Sequence, residues 1–470
     1  MALRGTGSRA LLAALVLGVA GCASLSADGG LSKVTETVSG KVGPAPVWPR
    51  TDDERSKVDA RVGELLGEPL GLEAAVELAL LNNRDLQTAY ESLGIAEADL
   101  VQAQRLPNPG FSFGRFKRGD EIEIERGFHF NLARLIFMPT VTGIQSRAMA
   151  RTQRDVAMRV LDLASETRKA WIDAVGARES AHYADQVHRT AKVAAELAQR
   201  MAAVGNFSKL QQAREQGFYA DALVAKARAQ HTVTVTRERL TRLLALYGAQ
   251  ADYRLPDRLP DLPDSVDEKQ QELRDALNQR LDLQAARIGV EQMARQLGMV
   301  RTNRFINVLE VGVVRNSSNE APTQTGWEVG FELPIFDWGD ARVARAEGLY
   351  RQAVNQATQA AINARSQVRE AYAGYRTTYD IARHYRDELV PLRQRISEEN
   401  VYRYNGMLIG VFELLADARA QISTVNGYIS ALRDHWIAEA DLEMALVGKP
   451  SISGISAASA GMADAAGAGH

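Results

Sequence analysis

GWEVGFELPIFDWG, Gly326 to Gly339, alternates strictly inside a chain that otherwise reads as alanine-rich helix. Side chains of an extended strand point to opposite faces in turn. Trp327, Val329, Phe331, Leu333 and Ile335 therefore share one side, and Glu328, Gly330 and Glu332 the other. One face is bulky and apolar, while the other carries charge. A soluble two-layer protein makes this pattern, and so does a membrane barrel with a wet lumen.

Three further segments repeat the pattern. In EIEIERGFHFNL, Glu121 to Leu132, Ile122, Ile124, Phe128, Phe130 and Leu132 face one way, with Arg126 among them. Glu121, Glu123, Glu125 and His129 face the other way. A short partner strand lies near Phe111 and Phe113, and Arg115 to Asp120 reads as the turn. Later, Leu309, Val311 and Val313 oppose Glu310 and Gly312, and a loop from Arg315 to Thr325 leads back to the opening stretch. The expectation is two hairpins, four strands in all, apolar on one face and acidic on the other. Known membrane barrels begin at about eight strands, so four cannot close one. Open strand edges are forbidden in hydrocarbon, because their N–H and C=O groups find no partner. If these strands enter lipid, two copies of the chain would pool eight and three would pool twelve. The soluble alternative packs the hairpins against helices.

The rest of the chain is helical in pattern. Proline is scarce (14 residues) and the formal net charge is −2, which gives no footprint for nucleic acid. Leu72 to Leu106 is periodic and stops at Pro107 and Pro109. Thr140 to Val204 contains no proline and would span about 95 Å as one helix. Positions Leu161, Ala164, Arg168, Trp171 and Val175, and then Val193, Leu197, Met201 and Val204, step by three and four. That spacing predicts a narrow seam between antiparallel helices. ALLNNRDLQ (Ala79 to Gln87) is echoed by ALNQRLDLQ (Ala276 to Gln284), and SETRKAW (Ser165 to Trp171) by SQVREAY (Ser366 to Tyr372). The chain thus reads as two copies of one unit, 72–250 and 266–447, each a helix, a β-hairpin and a long helical hairpin. A Pro/Asp linker over 251–265 joins them, and 448–470 is a low-complexity tail expected to be disordered.

The N-terminus reads as a secretory signal over 1–21, with Arg4 and Arg9 ahead of an apolar run too short to span a bilayer. Val19-Ala20-Gly21-Cys22 is similar to the bacterial lipobox, in which the cysteine becomes lipidated, and Cys22 is the only cysteine. An ordinary signal peptide with an incidental cysteine is the alternative. Residues 22–71 read as an extended linker leading from the anchor. No later run is long and apolar enough for a membrane helix.

Together these marks resemble the TolC-type outer-membrane efflux channels, lipoprotein subgroup, from about Leu72 to Val447. The resemblance is carried by ALLNNRDLQ, QAQRLPNPGFSFG, FELPIFDWGDAR and YRYNGMLIGVFELLADARAQ, in that order, together with the internal duplication. It implies a mainly α protein with membrane β: a homotrimer sharing one twelve-stranded β-barrel, continued by a tunnel of long antiparallel, coiled-coil-like helices. It also implies a periplasmic adaptor and an inner-membrane pump as partners, in the setting of outer-membrane lipid. Glu121, Glu123, Glu125, His129, Glu310, Glu328 and Glu332 would then line the lumen. Two turns would form tips that meet the adaptor, one at Gly205 and Asn206, the other at Asn405, Gly406 and Gly410. The family's periplasmic aperture is ringed by acidic residues. Glu413 falls on one such position and Ala416 on the other, with Asp417 beside it.

No Walker motif, H-E-x-x-H or nucleophile elbow is present, so neither enzyme nor cofactor is indicated, and the seven histidines are scattered. The rival reading is a lipid-anchored periplasmic coiled-coil scaffold without a pore. The FELLADAR run is reminiscent of metal exporters, but the cargo, drug, metal or otherwise, is set by the pump and not by a channel.

Overall fold

The computed structural model describes residues 24–305 and 308–451. Cys22, the signal and residues 452–470 lie outside them. The elements run α1 (Leu31–Val38), α2 (Asp52–Leu65), α3 (Leu72–Asn82), α4 (Arg84–Gln104), β1 (Gly110–Arg118), β2 (Glu121–Asn131), α5 (Leu132–Ala203) and α6 (Lys209–Leu244). The second half follows with α7 (Gln270–Gln279), α8 (Leu281–Thr302), β3 (Leu309–Ser318), β4 (Gln324–Phe331) and α9 (Asp340–His384). A π-turn over Tyr385–Leu389 leads into α10 (Val390–Asn405), and α11 (Val411–Val447) ends the order. The duplication is thus visible as repeated element order. The compact units do not coincide with the repeats: among the described residues one comprises 24–34, 89–156 and 282–360, the other 35–88, 157–281 and 361–451.

The first unit holds the β-sheet. Its four strands are antiparallel in the order β1-β2-β3-β4. The strands are longer than the alternation suggested. Arg115 to Arg118 belong to β1, and only Gly119 and Asp120 turn, with Gly119 at φ +59°. Likewise β3 runs on to Ser318, and the loop is 319–323. In contrast, β4 stops at Phe331, so Leu333 and Ile335 lie beyond it. Pro334 has no N–H to offer a ladder, and Ile335 N–H closes a tight turn onto Leu333 C=O at 2.8 Å. The first half switches differently. β2 passes straight into α5, whose backbone N–H at Arg134 donates to Asn131 Oδ1 at 2.8 Å, the side-chain capping that starts helices. Pro139 therefore lies inside α5 and does not precede it.

The second unit holds the main core, built from Trp171, Val175, Leu240, Leu244, Tyr379 and Leu432 with Tyr253, Leu255, Leu259 and Leu262. The last four come from the Pro/Asp linker, which is a packed strap. Buried backbone groups need partners, and long-helix side chains supply them. Arg178 donates to Leu255 C=O, Arg386 to Leu262 C=O, Trp436 to Pro260 C=O and Tyr379 to Asp264 C=O, at 2.8–3.1 Å. Within the expected linker 22–71 the described residues from 24 onwards are not extended either: α2 opens with a capping box of Thr51 and Glu54 and buries Val58 and Val62. The first helical stripe is buried as expected apart from the half-buried Arg168. The second is not, since Val193, Leu197 and Val204 are exposed and Ala191 and Ala198 are covered instead.

The duplication also fixes one backbone break. Helices α3 and α7 both end at an extended residue, Asn83 (φ −65°, ψ 122°) and Arg280 (φ −62°, ψ 123°). Each then caps the C-terminal carbonyls of its own half's last helix. Asn83 Nδ2 donates to Leu243 C=O at 2.9 Å, and Arg280 Nη1 to Ala445 C=O at 3.0 Å.

Among the described residues of α11, Asp417, His435 and Asp441 are buried polar groups. Asp441 receives Lys169 Nζ of α5 at 2.8 Å, and both are almost fully covered. His435 is fully buried among Tyr375, Tyr379 and Trp436, with neither ring nitrogen hydrogen-bonded. Burial pushes its pKa down from 6.5 to about 4. Between those values the unfolded chain binds the proton and the folded chain does not. The contribution is intact above pH 6.5 and is lost as pH falls towards 4. Burial raises Asp162 and Glu439 in this same unit, which acts in the opposite sense, so the comparison must be with a variant. His435→Phe is expected to flatten the acid loss of stability by roughly 3 kcal/mol across that window. Denaturant midpoints of the two proteins at pH 7 and pH 4.5 measure it, and parallel curves refute it.

Candidate membrane sheet and tunnel-end site

Register decides the two faces of the sheet. Phe111 pairs with Phe128, Phe128 with Val313, and Val313 with Trp327. The next row joins Phe130, Val311 and Val329, and the last Leu309 and Phe331. Most of this face is open, Trp327 at 78% and Phe331 at 63% exposure, with no helix among the described residues laid across it as a soluble sheet would require. Glu121, Glu123, Glu125, His129, Glu310 and Glu328 share the opposite face. Glu332, expected with them, lies beyond β4. Glycines make room on this face: a Cβ on Gly110 would collide with the His129 ring, and one on Gly312 would press on Glu328 Oε1 at 3.0 Å. β1 and β4 each pair on one side only.

The second unit carries the two turns expected to be tips. Gly205, at φ +80°, and Asn206 lie between α5 and α6, and Ser208 caps α6 reciprocally with Gln211. Asn405 ends α10, Gly406 caps it, Met407 takes the left-handed conformation at φ +58°, and Gly410 precedes α11. Met407 is 93% exposed and Leu408 is also exposed, as are Val204 and Leu210 of the other turn. Both turns thus present apolar side chains to solvent.

Glu413 and Asp417 are separated by one turn of α11 and differ in environment. Glu413 is exposed, in the first helical turn, where a carboxylate also meets the positive helix end. Asp417 is 9% exposed, and its Oδ2 has no hydrogen-bond partner. The chain spacing did not reveal a neighbouring pair. Glu215 of α6 is 1% exposed and accepts from Arg419 Nη2 of α11 at 2.7 Å, with the guanidinium 4.5 Å from the Phe218 ring centroid. These partners are 204 residues apart, and no local pattern joins them. The pair ties α6 to α11 within three turns of both tips.

Among the described residues no helix is long and apolar enough to cross a membrane, and no three His, Cys, Asp or Glu side chains are grouped to hold a metal.

A sheet with an apolar outer face, joined to long antiparallel helical hairpins, is the fold of the outer-membrane channels. The chain aligns with the outer membrane protein VceC from Vibrio cholerae at TM-score 0.67 and 14% identity, covering 86% of this chain and 100% of that one. For the Campylobacter jejuni CmeC outer membrane channel the values are 0.68, 15%, 88% and 91%. For the open state of the Neisseria gonorrhoeae MtrE outer membrane channel they are 0.65, 18%, 80% and 89%. Residues 273–423 match the family model described as outer membrane efflux protein. A search of curated protein sequences finds no significant match.

Removing one partner of a buried ion pair leaves the other charge uncompensated, at about 3–5 kcal/mol. Arg419→Ala should accordingly speed amide hydrogen exchange over 209–216 and 411–420. Adding Glu215→Leu should restore protection. Unchanged exchange in the single variant would show that the pair does not hold these helix ends.

Proposed function

We propose that the chain is the outer-membrane channel of a tripartite efflux system. Three copies pool their strands into one twelve-stranded barrel, and the helical hairpins continue it as a periplasmic tunnel towards an adaptor and an inner-membrane pump. The observation that carries this is the sheet: two unpaired edges, one open apolar face and one acidic face. Unpaired edges are excluded from hydrocarbon, and pairing β4 of each copy with β1 of the next preserves the antiparallel order round a closed ring. The acidic face then lines a cation-attracting lumen. The exposed apolar turns at Gly205 and Asn206, and at Asn405 to Gly410, supply the adaptor surface. The pore-free scaffold is disfavoured by the same open apolar face, which would be left in water.

Val313→Arg should impair assembly into membranes, since Val313 lies about midway along the apolar face and a cation there costs roughly 2–4 kcal/mol. Glu328→Arg, on the acidic face, should assemble normally and shift planar-bilayer selectivity towards anions. Equal assembly and equal selectivity for both would favour the scaffold.

The aperture reading rests on Glu413, which three copies would present three times around the axis. Like charges gathered at a narrow mouth attract cations. Glu413→Ala is expected to weaken block by a trivalent cation added from the tunnel side while leaving the assembly intact. Identical block in both proteins moves the aperture elsewhere, with Asp417 the next residue to substitute.

A further inference from the structure

The apolar face of the sheet is not uniform. Beyond the row of Phe111, Phe128, Val313 and Trp327, towards the two hairpin turns, the register places Phe113, Arg126, Arg315 and Thr325 side by side. Arg115 and Lys117 of β1 follow on the same face. All four cations are exposed. Every carboxylate within the four strands lies on the opposite face, and among the described residues none of the four cations forms an ion pair. Arg126 and Arg315 are direct cross-strand partners. Like charges so placed repel, and their one recorded side-chain contact is Arg126 Nη1 donating to Ser317 Oγ at 3.3 Å.

The position along the strand matters. Leu309 to Arg315 is six residues, about 20 Å of extended chain, measured from the end of the sheet where the helices attach. On the reading of this face as lipid-facing, on which the inference rests, the arginines lie where hydrocarbon gives way to headgroups on the side away from the helices. Arginine forks match phosphate oxygens in bidentate geometry. A doubly charged phosphate between two opposed guanidiniums would remove their repulsion. Both residues sit on the central strands, so each copy contains the whole pair.

We propose that Arg126 and Arg315, flanked by Arg115 and Lys117, form a docking surface for the phosphate groups of a phosphorylated lipid in the outer leaflet around the barrel.

The test uses the full-length assembled protein in phosphatidylcholine vesicles with or without diphosphoryl lipid A. Retained lipid A is counted after detergent extraction by native mass spectrometry. Wild-type protein should retain it, and R126Q/R315Q should lose at least roughly tenfold in retention, as expected for charge-assisted hydrogen bonds. R118Q, at the same end of β1 on the opposite face, should behave as wild type. Fully dephosphorylated lipid A should be retained by none of them. Should the double variant fail to assemble, R315Q alone is expected to show a several-fold loss. Equal retention by wild type and R126Q/R315Q overturns the proposal, as does displacement of the lipid by inorganic phosphate at equal concentration. Flotation with plain phosphatidylcholine vesicles separates the two readings. A wild-type protein that does not float overturns both the barrel and the docking surface. One that floats but binds lipid A independently of the arginines overturns the docking surface alone.

Discussion

The unpaired N–H and C=O groups along the outer edges of β1 and β4 are the constraint on which the rest depends. A sheet whose broad face is Phe, Val and Trp is driven out of water, yet its edges cannot enter lipid unpaired. Only closure with other copies meets both demands at once. That requirement explains why so little of the chain is β and so much is helix. On the proposed barrel each copy would supply an arc of the ring, and the helical remainder carries its own core.

How far the sequence reveals this depends on the range of the interaction concerned. Strand faces were legible, since alternation is local: Trp327, Val329 and Phe331 declare their side within five residues. Strand ends were less so. Arg115 to Arg118 looked like a turn by composition, but pairing with Glu121 to Ile124 holds them in the ladder. Leu333 looked like strand by alternation, but Pro334 ends the ladder before it. The first half hid its helix start for the same reason, because Asn131 caps α5 ahead of Pro139. The strap at 251–264 and the segment ahead of Leu72 read as linkers because their prolines and charges are local signals. What orders them is distant: Arg178, Arg386 and Trp436 reach carbonyls of the strap, and Trp171 reaches Leu70 C=O. Of the candidate site, the exposed turns were readable from Gly and Asn, whereas the Glu215–Arg419 pair has no expression in chain spacing at all.

Charge is used differently in the two compact units. In the sheet it is sorted by face, every strand carboxylate to one side and four of the five strand Arg and Lys side chains to the other, with Arg118 the exception. In the helical unit it is neutralised locally and under cover, as in Lys169 with Asp441 and Arg419 with Glu215. Buried pairs of this sort contribute little net stability against apolar replacements, but each is costly to break singly. They therefore fix which helix lies beside which, a requirement that repetitive alanine-rich surfaces such as α5 do not meet on their own.

The shared break at Asn83 and Arg280 bears on how the duplicated halves have drifted. Backbone angles at the two sites agree within a few degrees, yet one side chain is a short neutral amide and the other a long, fully buried cation. The same backbone geometry is thus held by two different chemistries. Transplanting either marker into the other half would leave a guanidinium without Gln367 or an amide short of Ala445. The two halves hold the same break with partners that are no longer interchangeable, so each marker fits only its own half.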